Sequence, residues 1–111
     1  MIASIEITGI QYEVSDQVKK YVHEKIGRLD RYVPLHARKT MRAEVKLREV
    51  NRENGNKHEV EVILQVPDKT ITAVDSTTNM MAAIDIVELK LATQLKRYKD
   101  AVLERKKSTV S

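Results

Sequence analysis

The chain has 111 residues, of which 20 are basic and 16 acidic, and it contains no cysteine, tryptophan or phenylalanine. This length fits one domain, and the absence of cysteine excludes disulfide frameworks, thiol catalysis and cysteine-ligated metal sites. The longest apolar runs are only a few residues, as at Val62–Leu64, far below the ~20 residues of a membrane-spanning helix. The N-terminus shows no secretory signal, so the sequence predicts a soluble, cytoplasmic protein.

The first predicted elements are a strand and a helix. Apolar and polar residues alternate over Ile2–Thr8, which predicts a strand that ends at Gly9. Ser15 supplies a capping oxygen to an amphipathic helix, whose apolar residues recur every three or four positions. This helix is predicted to stop near Pro34.

Three strands are predicted next. A short polar loop at Leu35–Lys39 leads to the second strand, Met41–Arg48. Asn54–Gly55 is a strong hairpin signal, and the third strand is His58–Val66. Its acidic outer row is expected to face the basic outer row of the second strand. After another turn, Thr70–Asp75 is predicted to form a shorter fourth strand.

The last predicted element is a long helix from Met80 to about Glu104. Residues 1–105 are expected to form one domain, and residues 106–111 a flexible tail. The fold class is therefore predicted as α+β, in the order β-α-β-β-β-α: a four-stranded mixed sheet with both helices packed on one face. Its α-β-β-β-α portion has the element order of the double-stranded-RNA-binding domain, an order that unrelated proteins also share.

Basic charge is unevenly distributed along the chain. Residues 15–32, 38–52 and 78–111 carry net charges of +2, +4 and +3, whereas residues 1–14 and 53–77 are net acidic. Such segregation favours a polyanionic partner, because a local positive face attracts phosphate whatever the net charge. The alternative is an ordinary solvated surface of mixed charge.

The residues that catalysis or metal binding would require are scattered. His23, His36 and His58 lie on a helix, a loop and a strand, without a second ligand at suitable spacing. The three glycines are isolated, which excludes a glycine-rich phosphate loop. The sequence therefore predicts no enzyme, no metal and no cofactor, and it predicts that His58 is a packed, hydrogen-bonded histidine on the core-facing row.

The basic residues are better organised, because a row of them follows each predicted helix. The rows are Tyr21, Lys25, Arg28 and Tyr32, with Arg31 adjoining, and Lys90, Thr93, Gln94 and Arg97, with Lys96 and Lys99 at the edge. If the helices lie side by side, these rows flank one groove that can bind phosphates. Alternatively, the long side chains shield the helix–sheet seam with their alkyl stems. Because the chain has no Phe or Trp and no predicted strand carries a Tyr, the helices rather than the sheet are expected to face RNA.

Six short segments, in the right order, carry a resemblance to a known family. They are Thr8–Gly9, Glu13–Ser15, Lys25–Tyr32, Asn79–Asp85, Leu89–Leu91 and Gln94–Asp100. Together they resemble the ribosome hibernation-promoting factor family, which includes the ribosome-associated inhibitor protein Y, over nearly the whole chain. The chain departs from the family pattern at Asn79, Met81 and Thr93, where the family has Asp, Tyr and Arg.

The resemblance implies a translation regulator. Such a protein docks in the small ribosomal subunit, in the channel of mRNA and of the A-site and P-site tRNAs, and it inactivates or preserves idle ribosomes under stress or in stationary phase. It competes with mRNA and tRNA and contacts ribosomal RNA. The residues that match the family's RNA-binding positions are Lys25, Arg28, Arg31, Lys90, Lys96, Arg97 and Lys99.

Two other functions stay open at this point. One is a general structured-RNA-binding module of the double-stranded-RNA-binding type. The other is a protein-interaction domain that uses the charged sheet face of Arg42, Glu44, Lys46 and Arg48. Longer family members continue into a second domain that pairs ribosomes into inactive dimers, and the sequence is compatible with a short member or with the first domain of a long one.

Overall fold

Strands with alternating apolar and polar residues form one mixed sheet, and amphipathic helices form a layer on one of its faces. The computed structural model describes residues 1–50, 55 and 57–110, with the side chains of the last helix described as far as residue 102. The strands are β1 (Ser4–Ile10), β2 (Arg42–Glu49), β3 (His58–Val66) and β4 (Lys69–Thr77). The helices are α1 (Asp16–Gly27), a 3-10 helix (Arg28–Tyr32), α2 (Leu35–Arg38) and α3 (Met80–Val110).

The sheet has the order β1-β2-β3-β4. The first pair is parallel and is connected through α1, whereas the other two pairs are antiparallel. One row of each strand packs against the apolar stripes of α1 and α3 in a single cluster. The predicted α+β fold, a four-stranded mixed sheet with helices on one face, is confirmed.

The core consists mainly of aliphatic side chains, together with Met41, Met80 and Tyr98. Its largest fully buried members include Val45, Leu47, Leu64 and Ile71 from the sheet and Val22, Ile26, Ile84, Leu91 and Leu95 from the helices. Among the described residues, no polar or charged residue is buried. The charged side chains described by the structure are therefore left at the surface, where their arrangement decides what the protein can bind. None of the helices in the described ranges combines the length and apolarity that a membrane crossing requires.

The outer face of the sheet carries the cross-strand charge pairing that the sequence predicts. Lys46 lies opposite Glu61, and Arg48 lies opposite Glu59. The guanidinium of Arg48 donates to Glu59 Oε2 at 3.3 Å and to Glu61 Oε1 at 2.7 Å. The predicted hairpin turn at residues 51–56 lies outside the described residues except for Gly55, whose φ of +79° agrees with a turn.

The first helix ends earlier than the sequence predicts. Ser15 caps it as expected, since its Oγ accepts a hydrogen bond from the Val18 amide at 3.2 Å. The α-helix stops at Gly27, however, and a 3-10 helix continues to Tyr32. The carbonyl of Gly27 accepts a hydrogen bond from the Ile2 amide at 2.8 Å. This contact with a segment distant in sequence accounts for the tighter last turns.

The first strand runs past the glycine that was predicted to end it. Gly9 lies inside β1 and pairs with Leu47 of β2. The chain folds back after the strand, and the carbonyl of Tyr12 occupies the space that a Cβ at Gly9 would need. Glycine is required here by this close approach of the backbone, not by the end of the strand.

Three other boundaries differ from the predictions. The loop predicted at residues 35–39 contains α2, whose Ala37 is buried and donates its amide to the Pro34 carbonyl at 2.9 Å. Strand β4 is longer than predicted because its pairing with β3 continues as far as Thr77. Helix α3 continues beyond Glu104 to Val110, since neither glycine nor proline interrupts this segment.

Candidate nucleic-acid interface

The side of α1 and of the following 3-10 helix that faces α3 carries three polar side chains at helical spacing, and each contacts an acid of α3. The Tyr21 hydroxyl donates to Asp85 Oδ1 at 2.6 Å, and the ammonium of Lys25 lies 3.7 Å from the same oxygen. One turn further along, Arg28 Nε donates to Glu88 Oε2 at 3.2 Å. We call these five residues the interhelix seam. It joins α3 to α1 and to the 3-10 helix along the surface above the apolar core.

The tyrosine of the seam is held in its neutral form. The hydrogen bond to Asp85 raises the pKa of Tyr21 to about 12, with further contributions from burial and from the negative charge of Asp85. The ammonium of Lys25 also lies 5.5 Å from the centre of the Tyr21 ring. Lys25 is therefore positioned by both a carboxylate and an aromatic face.

A second cluster joins the end of the 3-10 helix to α3. Arg31 lies 4.9 Å and Lys96 lies 5.3 Å from the centre of the Tyr32 ring. A terminal nitrogen of Arg31 also donates to the Tyr32 hydroxyl at 2.9 Å. Both cations are exposed. The ring thus holds two positive charges from different helices close together at the surface, and neither cation contacts a carboxylate among the described residues.

Lys90 lies elsewhere. Its ammonium contacts Asp75 Oδ2 at 2.9 Å and donates to the Val74 carbonyl at 3.2 Å. Gln94, one turn later, donates to the Thr72 carbonyl at 3.2 Å. This side of α3 therefore covers β4 and faces away from α1. The hydrogen bond from Lys90, followed by that from the Ser76 amide, holds the pKa of Asp75 below its ordinary value.

The structure consequently divides the predicted RNA-binding residues between two sides of α3. Arg97 follows Lys90 by seven residues and shares its side, whereas Lys99 follows Lys96 by three and lies toward α1. The α1 side holds Lys25, Arg28, Arg31, Lys96 and Lys99. The expectation that both basic rows flank one groove is wrong for Lys90, which contacts β4, because helical spacing identifies a face but not the element that the face contacts. For Arg97, whose place follows from spacing alone, the side remains a prediction.

Sequence reasoning missed the acids of the seam and one cation. Asp85 and Glu88 are three residues apart, a spacing that matches the row on α1 and could have identified them. Arg38 donates to the Val33 and Arg31 carbonyls at 3.2 and 3.4 Å and so supports the 3-10 segment. No periodic pattern pointed to this arginine.

The departures from the family pattern have clear structural settings. Asn79 caps α3, because its Oδ1 accepts hydrogen bonds from the Met81 and Ala82 amides at 2.9 and 3.2 Å. Asparagine therefore performs the capping that an aspartate would provide. Thr93 donates its hydroxyl to the Leu89 carbonyl of its own helix at 3.1 Å.

The predicted packed histidine is found at the other end of the sheet. His58 is half-buried and its ring meets that of Tyr12 edge-on, with the centres 6.0 Å apart. The predicted hydrogen bonding is not seen at Nδ1, which is buried and has no partner among the described residues. Within the described part of the chain, no three potential ligands come together as a metal site.

Comparisons with known proteins agree with this architecture. The ribosome hibernation promotion factors of Lactococcus lactis and Deinococcus radiodurans are 33% and 34% identical in sequence to this chain, over 104 and 101 residues. These matches cover 94% and 91% of the chain but 54% and 51% of the relatives, so the chain spans about half the length of the relatives it matches.

Solved structures show the same fold. The N-terminal domain of Thermus thermophilus Protein Y has a TM-score of 0.73 at 29% identity, covering 86% of this chain and 98% of that domain. A ribosomal subunit interface protein from Coxiella burnetii has a TM-score of 0.71 at 26% identity, covering 87% and 98%. A family model described as Sigma 54 modulation protein / S30EA ribosomal protein matches residues 5–102. The match extends over most of the chain and confirms the resemblance found in the sequence: the chain belongs to this family.

Proposed function

We propose that this chain binds the small ribosomal subunit through its helical layer and occupies the channel of mRNA and of the A-site and P-site tRNAs. Occupancy inactivates idle ribosomes and preserves them under stress or in stationary phase. The observation that carries the proposal is the collection of cations from two helices on the α1 side of α3, in a chain whose relatives are named ribosome hibernation promotion factors. The role is that of a cytoplasmic regulator without a catalytic step.

The chemistry of this side suits ribosomal RNA. Arg31 and Lys96 are exposed next to each other, so they can approach two neighbouring phosphates. The planar guanidinium of arginine can donate two parallel hydrogen bonds to one phosphate, whereas lysine contributes a compact charge. Arg28 contacts Glu88 through Nε, and that contact leaves its two terminal nitrogens available to a phosphate.

The opposite side of the molecule is less suited to RNA. On the outer face of the sheet, Arg48 is already bound by Glu59 and Glu61, and Lys46 lies 3.8 Å from Glu44. None of the strands β1 to β4 carries a Phe, Trp or Tyr on which a base could stack. Since charge and stacking are both limited there, the helical layer is the better candidate for the RNA-binding side.

The proposal is tested by co-sedimentation of two matched variants with purified small subunits. R31E/K96E reverses two charges on the helical layer, and R42E/K46E reverses two on the outer face of the sheet. We expect R31E/K96E to weaken binding by about tenfold or more, the effect of about 1.4 kcal/mol, while R42E/K46E binds like the parent chain. Equal binding by all three proteins would contradict the proposed site.

Two further measurements separate the proposal from a general structured-RNA-binding module. Affinity for intact small subunits should exceed affinity for a plain RNA duplex, and excess mRNA and tRNA should displace the protein. Binding should weaken with salt by roughly 0.7–0.9 log units per phosphate contact for each tenfold rise in salt. Comparable affinity for the duplex and the subunit would favour the general module.

A further inference from the structure

The acids of the interhelix seam occupy positions that a phosphate-binding surface would not be expected to contain. Asp85 and Glu88 both come from α3, and they contact Lys25 of α1 and Arg28 of the 3-10 helix. The side chain of Asp85 is 45% exposed, so its negative charge reaches the surface that we propose for RNA. An RNA phosphate that approaches Lys25 must therefore compete with this carboxylate.

The seam contrasts with the neighbouring cluster around Tyr32. There, an aromatic ring positions Arg31 and Lys96, and a ring does not neutralise the charge that it holds. At the seam, carboxylates position Lys25 and Arg28 at 3.7 and 3.2 Å. In the helical layer, the positive charges of Arg31 and Lys96 are therefore not neutralised by a carboxylate contact in the described structure, whereas those of Lys25 and Arg28 are partly neutralised.

We infer that Asp85 and Glu88 determine specificity: they suppress binding to generic RNA by screening Lys25 and Arg28 from phosphates that only approach this surface loosely. An RNA site whose shape first engages Arg31 and Lys96 brings further phosphates close enough to compete for the screened pair. A plain duplex is recognised mainly through its regular backbone, so fewer of its phosphates come close enough to displace the two acids. This inference rests on the proposed function, because it concerns the choice among RNA partners by the same surface.

Physical reasoning supports selectivity by repulsion. Discrimination between two partners depends on the difference of their affinities, and unfavourable contacts with the wrong partner contribute to it as much as favourable contacts with the right one. Both seam contacts involve partly exposed groups, with side-chain exposures of 27% for Lys25 and 44% for Arg28. Such ion pairs are weak enough for a well-placed phosphate to displace the carboxylate.

The test compares two double variants that remove the same charge. D85N/E88Q removes the acids of the seam, and its amide oxygens can still accept the hydrogen bonds from Tyr21 and Arg28. The matched control, E59Q/E61Q, removes two acids that bind Arg48 on the outer face of the sheet. Affinity of each protein is measured for small subunits and for an RNA duplex of about 16 base pairs, the length that a double-stranded-RNA-binding domain covers.

We expect D85N/E88Q to bind the duplex about fivefold more tightly than the parent chain, as suits the loss of two partly exposed ion pairs. Its salt dependence should steepen by roughly 0.7–0.9 log units for each phosphate contact that it gains. Affinity for small subunits should rise much less, so the preference for subunits falls. The control should keep the preference of the parent chain.

Three results would overturn the inference: no gain of duplex binding in D85N/E88Q, an equal gain in E59Q/E61Q, or an equal gain for small subunits and duplex. No gain of duplex binding would mean that the two acids do not screen Lys25 and Arg28. An equal gain in the control would mean that only the net charge matters. An equal gain for both RNA targets would mean that the acids do not affect selectivity. Failure of the proposed function is recognised separately, since the parent chain would then not co-sediment with small subunits at all. In that case, the duplex measurements still show whether Asp85 and Glu88 screen Lys25 and Arg28 from phosphates.

Discussion

The hydrogen bond between the Tyr21 hydroxyl and Asp85 is expected to stabilise the packing of α1 on α3, and Y21F removes it without changing the shape of the ring. The bond is 2.6 Å long, and it raises the pKa of Tyr21 from the ordinary value of 10.0 to about 12. A rise of that size corresponds to at most about 2.7 kcal/mol of preference for the neutral hydroxyl in the folded state. Because the pair is only partly buried, water screens it, and we expect Y21F to lower the free energy of unfolding by about 1 kcal/mol at neutral pH.

The pH dependence of this stabilisation has a defined direction. Since the pKa of Tyr21 is higher in the folded chain than in the unfolded one, the contribution is fully present below about pH 10 and is lost as the pH rises through about 12. Urea denaturation at neutral pH gives the stability difference, and ultraviolet titration should show one phenolate fewer titrating at about pH 12 in Y21F than in the parent chain.

Y32F is the matched control, because the Tyr32 hydroxyl accepts a hydrogen bond from the exposed Arg31 and contacts no carboxylate in the described structure. We expect it to cost less stability than Y21F. Equal stability losses in the two variants would refute the reasoning. So would an unchanged number of phenolates titrating at about pH 12 in Y21F, because Tyr21 would then not carry the raised pKa.

Three other changes test the site and the fold. G9A places a Cβ against the Tyr12 carbonyl and should lower the free energy of unfolding by about 1–3 kcal/mol, measured by urea denaturation. D75N removes the partner of Lys90. Because that contact holds the pKa of Asp75 below its ordinary 3.8, the loss should be under about 1 kcal/mol at neutral pH and should disappear as the pH falls through the folded pKa. K96A should weaken co-sedimentation with small subunits and reduce its salt dependence, whereas K90A should affect both less because Lys90 is bound to β4; equal effects would contradict the division of the site.

Local patterns were sufficient to predict the elements of this fold. The alternation of apolar residues gives β2 and β3 nearly to the residue, and the pairing of Arg48 with an acid of β3 follows from the hairpin alone. Contacts between distant segments were not predictable in this way. The early end of α1 depends on a hydrogen bond from Ile2 to Gly27, and β4 owes its length to its partner strand.

The candidate site shows the same division. Helical spacing correctly placed Lys25 and Arg28 on one row. It could not show that Lys90 turns toward β4, because that depends on which neighbour lies on each side of α3. The roles of Asp85 and Glu88 likewise depend on contacts with Lys25 and Arg28, which lie about 60 residues away in sequence.

The contacts of α3 with β4 have a consequence for association. As an outer strand of the sheet, β4 presents backbone groups that could pair with a strand of another molecule. Lys90 and Gln94 occupy the carbonyls of Val74 and Thr72, alternate residues of that edge. A foreign strand would have to displace both side chains before it could add to the sheet. These contacts therefore disfavour the addition of a foreign strand at β4, and with it the aggregation that strand addition can start. The edge strand on the opposite side of the sheet is β1.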